Sequence, residues 1–504
     1  MKKNHKTTDS TKVSSAGNTP DHKTTADEKL TRILYVTPET MPFASTGGLG
    51  EVSGSLPKAL NADPDLNAEC RVMMPLYKAV SDEYRKKMIF LGCKMIPVAW
   101  RSKYLGLFRL DYEGVVYYFI DNEEYFKRDG LYGHYDDCER FAFFSRAVFE
   151  SFEFMDDFVP DIIHANDWQT ALVPIYQDAL YHLEYTSTVF SIHNIEYQGN
   201  YGKEILDDVL GLPEGCEHLV EWNGNINLMK GGIQTASLIN TVSPTYAQEL
   251  TDPYYAYGLD AIIRENRFKL HGILNGINTK TYDPAADDKI PAGYTPDDLS
   301  GKAVCKKALQ EALRLPVIAD IPMLTMITRL VPAKGVDLII SILESIVQKN
   351  AIQFVILGTG FEHYEDYFLS LQDKYPDKVR AKIEFSNDLS HKIYAAGDIF
   401  IMPSRTEPCG LAQMIACRYG NVPIVRSTGG LRDSIRDCTL GEGNGFVFEG
   451  YDAFGLYDAV MRAISLYNDN ENWKKLVSYD LTLDFSWSSS AKKYMEMYRK
   501  VSYK

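Results

Sequence analysis

The sequence predicts an α/β fold of two doubly wound parallel sheets, on three observations. Short runs that are apolar on both faces recur along the chain, as strands covered by helices on both sides require. Helical periodicities lie between them. Glycine, proline, asparagine and aspartate gather where a run ends and a loop begins, and the series restarts near Gly272-Ile273-Leu274-Asn275-Gly276. Strand–helix alternation implies a parallel sheet covered on both faces. The restart implies two Rossmann-like domains with a cleft between them.

Residues 1–28 come first, with one Val and no Leu, Ile or aromatic residue. They cannot bury enough apolar area to offset their ordering entropy, so this segment reads as a disordered tail. The first strand run is Arg32-Ile33-Leu34-Tyr35-Val36-Thr37, and the helix after it places Val52, Leu56 and Ala59 at i, i+4 and i+7. Runs of the same type begin at Asp161, Thr188 and Leu238 in the first half. In the second half they begin at Leu324, Gln353, Ile399 and Val422.

Composition narrows the function. Of 504 residues 45% are hydrophobic and 24% charged, an ordinary globular balance. The formal charge is −15, which argues against a nucleic-acid or anionic-membrane surface, since both need clustered Lys and Arg. No apolar run reaches the roughly 18 residues of a membrane span, and the N-terminus has no apolar core of a secretory signal. Eight scattered cysteines with no CxxC pair read as free thiols of a cytoplasmic protein. No HExxH, EF-hand, GxSxG or Walker-A pattern occurs, so neither metal nor cofactor is expected.

Open α/β sheets bind ligands beyond the carboxyl ends of their strands, so the strand-end residues carry the chemistry. After the first strand comes Ser45-Thr46-Gly47-Gly48-Leu49-Gly50-Glu51. It is either a diphosphate cradle at a helix start or a plain glycine-rich turn. In His164-Ala165-Asn166-Asp167-Trp168-Gln169-Thr170, Asp167 suits a helix cap or a carboxylate facing the cleft. His193 ends its strand as a structural imidazole or as a donor to a sugar hydroxyl or developing charge. Arg329 and Lys334 follow the Leu324 run, where a guanidinium fork and an ammonium suit a pyrophosphate. Glu407, in Glu407-Pro408-Cys409-Gly410-Leu411, reads as a helix-capping carboxylate or one gripping sugar hydroxyls. Ser427-Thr428-Gly429-Gly430-Leu431 is a second glycine turn into a helix.

Together these strings resemble the bacterial glycogen (starch) synthase family. Further matches are Ile192-His193-Asn194, Asn227 to Gly232, Asn240 to Tyr246, Gly272 to Ile277, Ile393-Tyr394-Ala395 and Arg418-Tyr419-Gly420. They run in family order over nearly all of the chain after Leu30. The resemblance implies a GT-B fold, two Rossmann-like domains at 29–270 and 271–481 facing across a deep cleft. A C-terminal segment, 482–504, would carry a helix from about Ser488 to Tyr503 back onto the first domain. The implied reaction moves glucose from ADP-glucose to the non-reducing 4-OH of an α-1,4-glucan with retention, in the cytoplasm. UDP-glucose remains the other donor to consider, and the oligomeric state is left open.

Carried onto this sequence, the resemblance places Gly47 and Gly48 against the donor diphosphate, which Arg329 and Lys334 neutralise. Thr428 and Gly429 give backbone donors to the distal phosphate or the sugar. Glu407, backed by Cys409, Gly410 and Leu411, holds the glucosyl hydroxyls. His193 lies near the anomeric centre, Asp167 faces the acceptor, and Tyr394 stacks on the base. Ser45, Glu51 and Asn275 complete the substrate-binding set. Most family members open the first motif with Lys where this chain has Ser45. A charge-assisted hydrogen bond is worth about 1.5–3 kcal/mol, so donor affinity should suffer unless compensated. Asn278 and Tyr282 replace a usual Asp and Trp and read as structural changes. Two other functions stay open: a glucan-binding scaffold that has lost catalysis, and a transferase using a different sugar nucleotide.

Overall fold

The computed structural model describes residues 29–502; the expected disordered tail at 1–28 lies outside them. Two sheets organise the chain. The parallel part of the first runs, in spatial order, Leu270–Gly272, Leu238–Thr241, Ser187–Ile192, Ile162–Asn166, Thr31–Val36, Ala68–Pro75 and Val115–Asp121. The second sheet is wholly parallel: Val379–Lys382, Gln353–Leu357, Met323–Ile327, Ile399–Met402, Val422–Arg426 and Phe446–Phe448. Numbered along the chain within each parallel part, the second follows the doubly wound order 3-2-1-4-5-6, and the first follows the same order with a seventh strand beside the sixth. Every residue of Ile162–Asn166, Ser187–Ile192 and Gln353–Leu357 is buried, which is why these runs are apolar on both faces.

The first sheet also has an extension that the sequence reading did not foresee. The strands Arg101–Tyr112 and Ile89–Val98 add antiparallel to Val115–Asp121. Ile89–Val98 buries only Ile96 and Val98, so its exposed positions interrupt the doubly apolar pattern that marks the other strands. The predicted helix behind the first strand forms as Gly48–Ala62, and Val52, Leu56 and Leu60 seat it on the core.

Hydrogen bonds join the carboxyl ends of the two sheets. Ser243 Oγ donates to the Pro408 carbonyl at 2.6 Å, and the Thr245 amide and hydroxyl donate to the Asp433 carboxylate at 2.7 Å each. These link the loop after Leu238–Thr241 to the loops after Ile399–Met402 and Val422–Arg426, so the strand ends of one domain face those of the other.

The last helix, Trp487–Tyr498, crosses back to the first domain. Tyr498 Oη lies 2.7 Å from His164 Nδ1, Asn240 Nδ2 donates to Tyr494 Oη at 3.1 Å, and Ser187 Oγ donates to the Val501 carbonyl at 2.8 Å. The chain entering this helix passes so close to Gly276 that a Cβ there would sit 2.5 Å from the Trp487 nitrogen. Burial pushes the His164 imidazole down to about 3, so it serves as a neutral bridge between helix and sheet. Among the described residues no helix is long and apolar enough to cross a membrane, and all eight cysteines are free.

Candidate active site

In each sheet the strand order reverses between the first and fourth parallel strands, and the crevice beyond that point is where such sheets take ligands. In the first domain the point lies between Thr31–Val36 and Ile162–Asn166; the loop 37–47 and Asp167 follow them. In the second it lies between Met323–Ile327 and Ile399–Met402; Arg329, Lys334 and Glu407 follow them.

Glu39 shapes the first glycine loop. Its Oε2 accepts from the Thr46 amide and hydroxyl at 2.7 Å each, and Oε1 from the Gly50 amide at 3.1 Å. Gly47 and Gly48 are exposed, and a Cβ added to either would touch nothing within 4 Å. The protein's own packing does not require glycine there, and the bare backbone is open to a group approaching from outside. Ser45 is exposed, with its hydroxyl 3.3 Å from the Gly47 carbonyl. Glu51 sits in the first turn of the helix Gly48–Ala62, and burial raises its carboxyl above the usual range.

Asp167 does not cap the helix that follows. Its Oδ1 turns to the neighbouring strand end and accepts from the amides of His193 at 2.7 Å and Asn194 at 3.4 Å. Its backbone sits at φ +57°, ψ 179°, a region essentially reserved for glycine and costing about 1–3 kcal/mol. Such strain is concentrated at functional sites. Asn166 fixes the His193 ring. Its Nδ2 donates to the Val36 carbonyl at 2.9 Å, which turns Oδ1 toward Tyr35 Oη and His193 Nε2, both at 2.9 Å. His193 Nε2 is therefore the donor of that pair. Burial holds the imidazole at about 4, neutral at pH 7. Nδ1 is left as an acceptor, so the neutral ring has no N–H free to give to a sugar hydroxyl or a developing charge, contrary to the expected donation.

Burial pushes the Asp167 carboxyl up to about 7, with the His193 and Asn194 amides opposing the rise. In the unfolded chain it titrates near 3.9. Between about pH 4 and 7 the folded state thus holds a proton that the unfolded state has lost, and stability falls as pH rises through that window. Asp167→Asn keeps the accepting oxygen without the titration. Its Tm should exceed that of the parent by a margin that widens from pH 4.5 to 8 in scanning calorimetry. A margin independent of pH would refute the assignment.

On the second domain, Lys334 Nζ lies 2.6 Å from Glu407 Oε2, which also accepts from Ser404 Oγ at 2.9 Å. Glu407 is 7% exposed. Arg426 braces this loop by donating from Nε to the Ser404 carbonyl at 3.0 Å. Arg329 is exposed and, among the described residues, makes no ion pair or side-chain hydrogen bond. Thr428 Oγ1 and the Gly429 amide, read as donors to a phosphate, both donate to Glu249 Oε1 of the first domain, at 2.8 and 3.0 Å. Gly429 has φ +44°, and a Cβ there would sit 2.0 Å from the Glu407 carbonyl. Unlike Gly47 and Gly48, this glycine is demanded by the protein's own loop packing.

The remaining residues back this cluster. Cys409 is buried and its thiol is pushed up to about 12 by burial, which leaves no thiolate to act as a nucleophile. Gly410 turns the chain at φ +71° into Leu411. Asn275 is buried with its Oδ1 unpartnered among the described residues. Tyr394 is 4% exposed, its ring stacked on Tyr419 and tilted against Phe400, so the structure packs it in the core and does not leave its ring open for stacking. Asn278 accepts from the amides of Lys280 and Thr281, and Tyr282 stacks on His391.

Sequence reasoning passed over Glu39, Asn166, Ser404, Arg426 and Glu249. The first three lie inside or beside the strings it singled out. For Glu249 no local signal exists, because its partners are 179 and 180 residues away.

A starch synthase catalytic domain model matches residues 32–265, and a group 1 glycosyl transferase model matches 315–477. The glycogen synthase of Clostridium novyi (strain NT) is 45% identical over 480 residues, covering 94% of this chain and 99% of that one. That of Clostridium acetobutylicum is 44% identical over 479 residues, covering 93% and 100%. Among solved structures, the catalytic domain of starch synthase IV from Arabidopsis thaliana, bound to ADP and acarbose, superposes with a TM-score of 0.82. It is 34% identical and covers 94% of this chain and 100% of that one. A sucrose-phosphate synthase from Thermosynechococcus elongatus, at 16% identity and TM-score 0.58 over 94% of this chain and 99% of that one, shares the fold.

Proposed function

Because this chain belongs to the glycogen and starch synthase family of glycosyltransferases, we propose that it lengthens an α-1,4-glucan in the cytoplasm by taking glucose from ADP-glucose. The observation that carries the proposal is the pairing at the second switch point: Lys334 on Glu407, with the unpartnered Arg329 on the same strand-end loop as Lys334. Cations at that place meet a departing diphosphate, and the carboxylate beside them meets the hexose.

In this reading the diphosphate lies along the open Gly47–Gly48 backbone, with Arg329 and Lys334 on its oxygens. Preorganised charge of this kind is often the largest catalytic contribution. Thr428 and Gly429 reach the distal phosphate once Glu249 releases them. Glu407 takes the glucosyl hydroxyls, backed by Cys409, Gly410, Leu411 and Asn275. His193 accepts from a hydroxyl near C1, and Asp167 holds its backbone on the acceptor side. Glu51 borders the base, and Tyr394, its ring packed on Tyr419 and Phe400, does not stack on it. The C1–O bond to phosphate breaks, the bond from the acceptor O4 to C1 forms on the same face, and the O4 proton passes to the departing phosphate oxygen. Retention by double displacement would need two carboxylates flanking the bond; in this reading Glu407, held by Lys334 and Ser404, binds the hexose and no side chain is assigned as nucleophile.

The test is nucleotide release with glycogen and either ADP-glucose or UDP-glucose, with the new linkage read by NMR. ADP released one-for-one with α-1,4-linked glucose, at higher kcat/KM than UDP, is expected. Turnover with neither donor would leave a glucan-binding scaffold, and turnover only with another sugar nucleotide a different transferase.

A further inference from the structure

Outside the cluster just described, the first domain carries a small three-stranded sheet of Asn200–Tyr201, Asn225–Asn227 and Glu221–Trp222. A groove of about 460 Å³ opens over it, and none of its ten lining residues carries a formal charge. In a chain that is 24% charged, that composition disfavours a phosphate or ionic ligand. Its walls set carboxamides (Gln198, Asn200, Asn225) against aromatic rings (Tyr201, Trp222, Tyr257).

The floor of the groove is rigid. Gln198 Nε2 donates to the carbonyls of Ile195 and Tyr257 at 3.1 Å each. Asn227 Nδ2 donates to Gln198 Oε1 at 2.7 Å and Asn200 Oδ1 at 2.9 Å, while its Oδ1 accepts from the Lys230 amide at 2.8 Å. A two-residue turn at Asn223-Gly224, with φ +51° and +80°, closes the hairpin and pairs Trp222 directly with Asn225. The rim is unclaimed. Among the described residues the Asn225 amide, the Trp222 indole N–H and the Tyr201 and Tyr257 hydroxyls have no hydrogen-bond partner.

Rigid uncharged amides beside aromatic rings suit a neutral polyhydroxyl chain. The C–H face of a pyranose lies against an aromatic ring, and a carboxamide offers a donor and an acceptor to neighbouring hydroxyls. The groove also lies beside the segments that carry Asp167 and His193. The Tyr201 ring lies 6.1 Å from that of Trp168, the residue after Asp167, and the floor bonds to Ile195, two residues after His193. We infer that this groove is a subsite for an α-1,4-glucan, holding glucose units of the acceptor remote from its reacting end. The inference rests on the reading that the acceptor is such a glucan.

The experiment is acceptor kinetics with ADP-glucose and the full-length enzyme carrying Trp222→Ala, Trp222→Phe or Asn225→Ala. For Trp222→Ala, KM for glycogen and maltoheptaose should rise about tenfold, while KM for maltotriose, which fills only the reacting end, moves less than twofold. Trp222→Phe should keep most of the affinity. Among the described residues Asn225 makes no side-chain bond, so Asn225→Ala should fold normally and raise the long-acceptor KM a fewfold. Parental glycogen KM in both alanine variants, or an equal rise for maltotriose and glycogen, would overturn the subsite while leaving glucosyl transfer intact. A parent enzyme that elongates no glucan at all would instead strike down the proposed function, and this inference with it.

Discussion

Replacing Glu407 with alanine is expected to lower kcat by about a thousandfold, with no glucosyl-enzyme accumulating. The carboxylate is almost fully buried and lies between Lys334 Nζ and Ser404 Oγ. Its removal takes a negative charge from beside the sugar as positive charge grows on C1. It also frees Lys334 from the geometry in which it meets the leaving phosphate. Breaking a buried pair costs roughly 3–5 kcal/mol of stability, less here because Lys334 is one-fifth exposed. Glu407→Gln, which keeps the shape and the bond from Ser404, separates the two effects. It should melt near the parent and still lose most of kcat. Mass spectrometry of denatured enzyme quenched during turnover checks the chemistry: a covalent hexose on the parent or on either variant would rule out same-face transfer.

Arg329→Ala should cost about a hundredfold to ten-thousandfold in kcat/KM for the sugar nucleotide. Two charge-assisted bonds from one guanidinium fork, each worth about 1.5–3 kcal/mol, set that range. Because the side chain is exposed and makes no side-chain bond among the described residues, the fold should not notice its loss. Tm is expected to stay within a degree or two while calorimetric ADP affinity falls in step with kcat/KM. Arg329→Lys keeps the charge without the fork and should fall between. Parental affinity for ADP in Arg329→Ala would remove this residue from the donor site. Lys334 already has an anionic partner and, among the described residues, Arg329 has none, so its guanidinium is the more available charge for an arriving diphosphate.

Much of this architecture can be read locally. Thr31–Val36, Ile162–Asn166, Ser187–Ile192 and Gln353–Leu357 announce themselves because a strand covered on both faces must be apolar at nearly every position. The antiparallel strand Ile89–Val98 escaped the same test because so few of its positions are buried. Arg329, Lys334 and Glu407 stand out in an acidic chain because cations and a carboxylate collect at strand ends. The two glycine turns look alike in sequence and differ in space. Gly47 and Gly48 border open room, whereas Gly429 is pressed against the Glu407 carbonyl.

Local periodicity and turn chemistry therefore determined two doubly wound domains and the loops where their chemistry sits, because burial on both faces and the helix period act over neighbouring residues. Pairings were decided only by the folded chain. Lys334 finds Glu407 across 73 positions, and Glu249 takes the Thr428 hydroxyl across 179. Asp167 turns from the helix it precedes to the amide of His193. Such contacts depend on strand order and on the carboxyl ends of two sheets facing one another. No short stretch of sequence encodes that, since the groups that meet are brought together by the burial of hundreds of other residues.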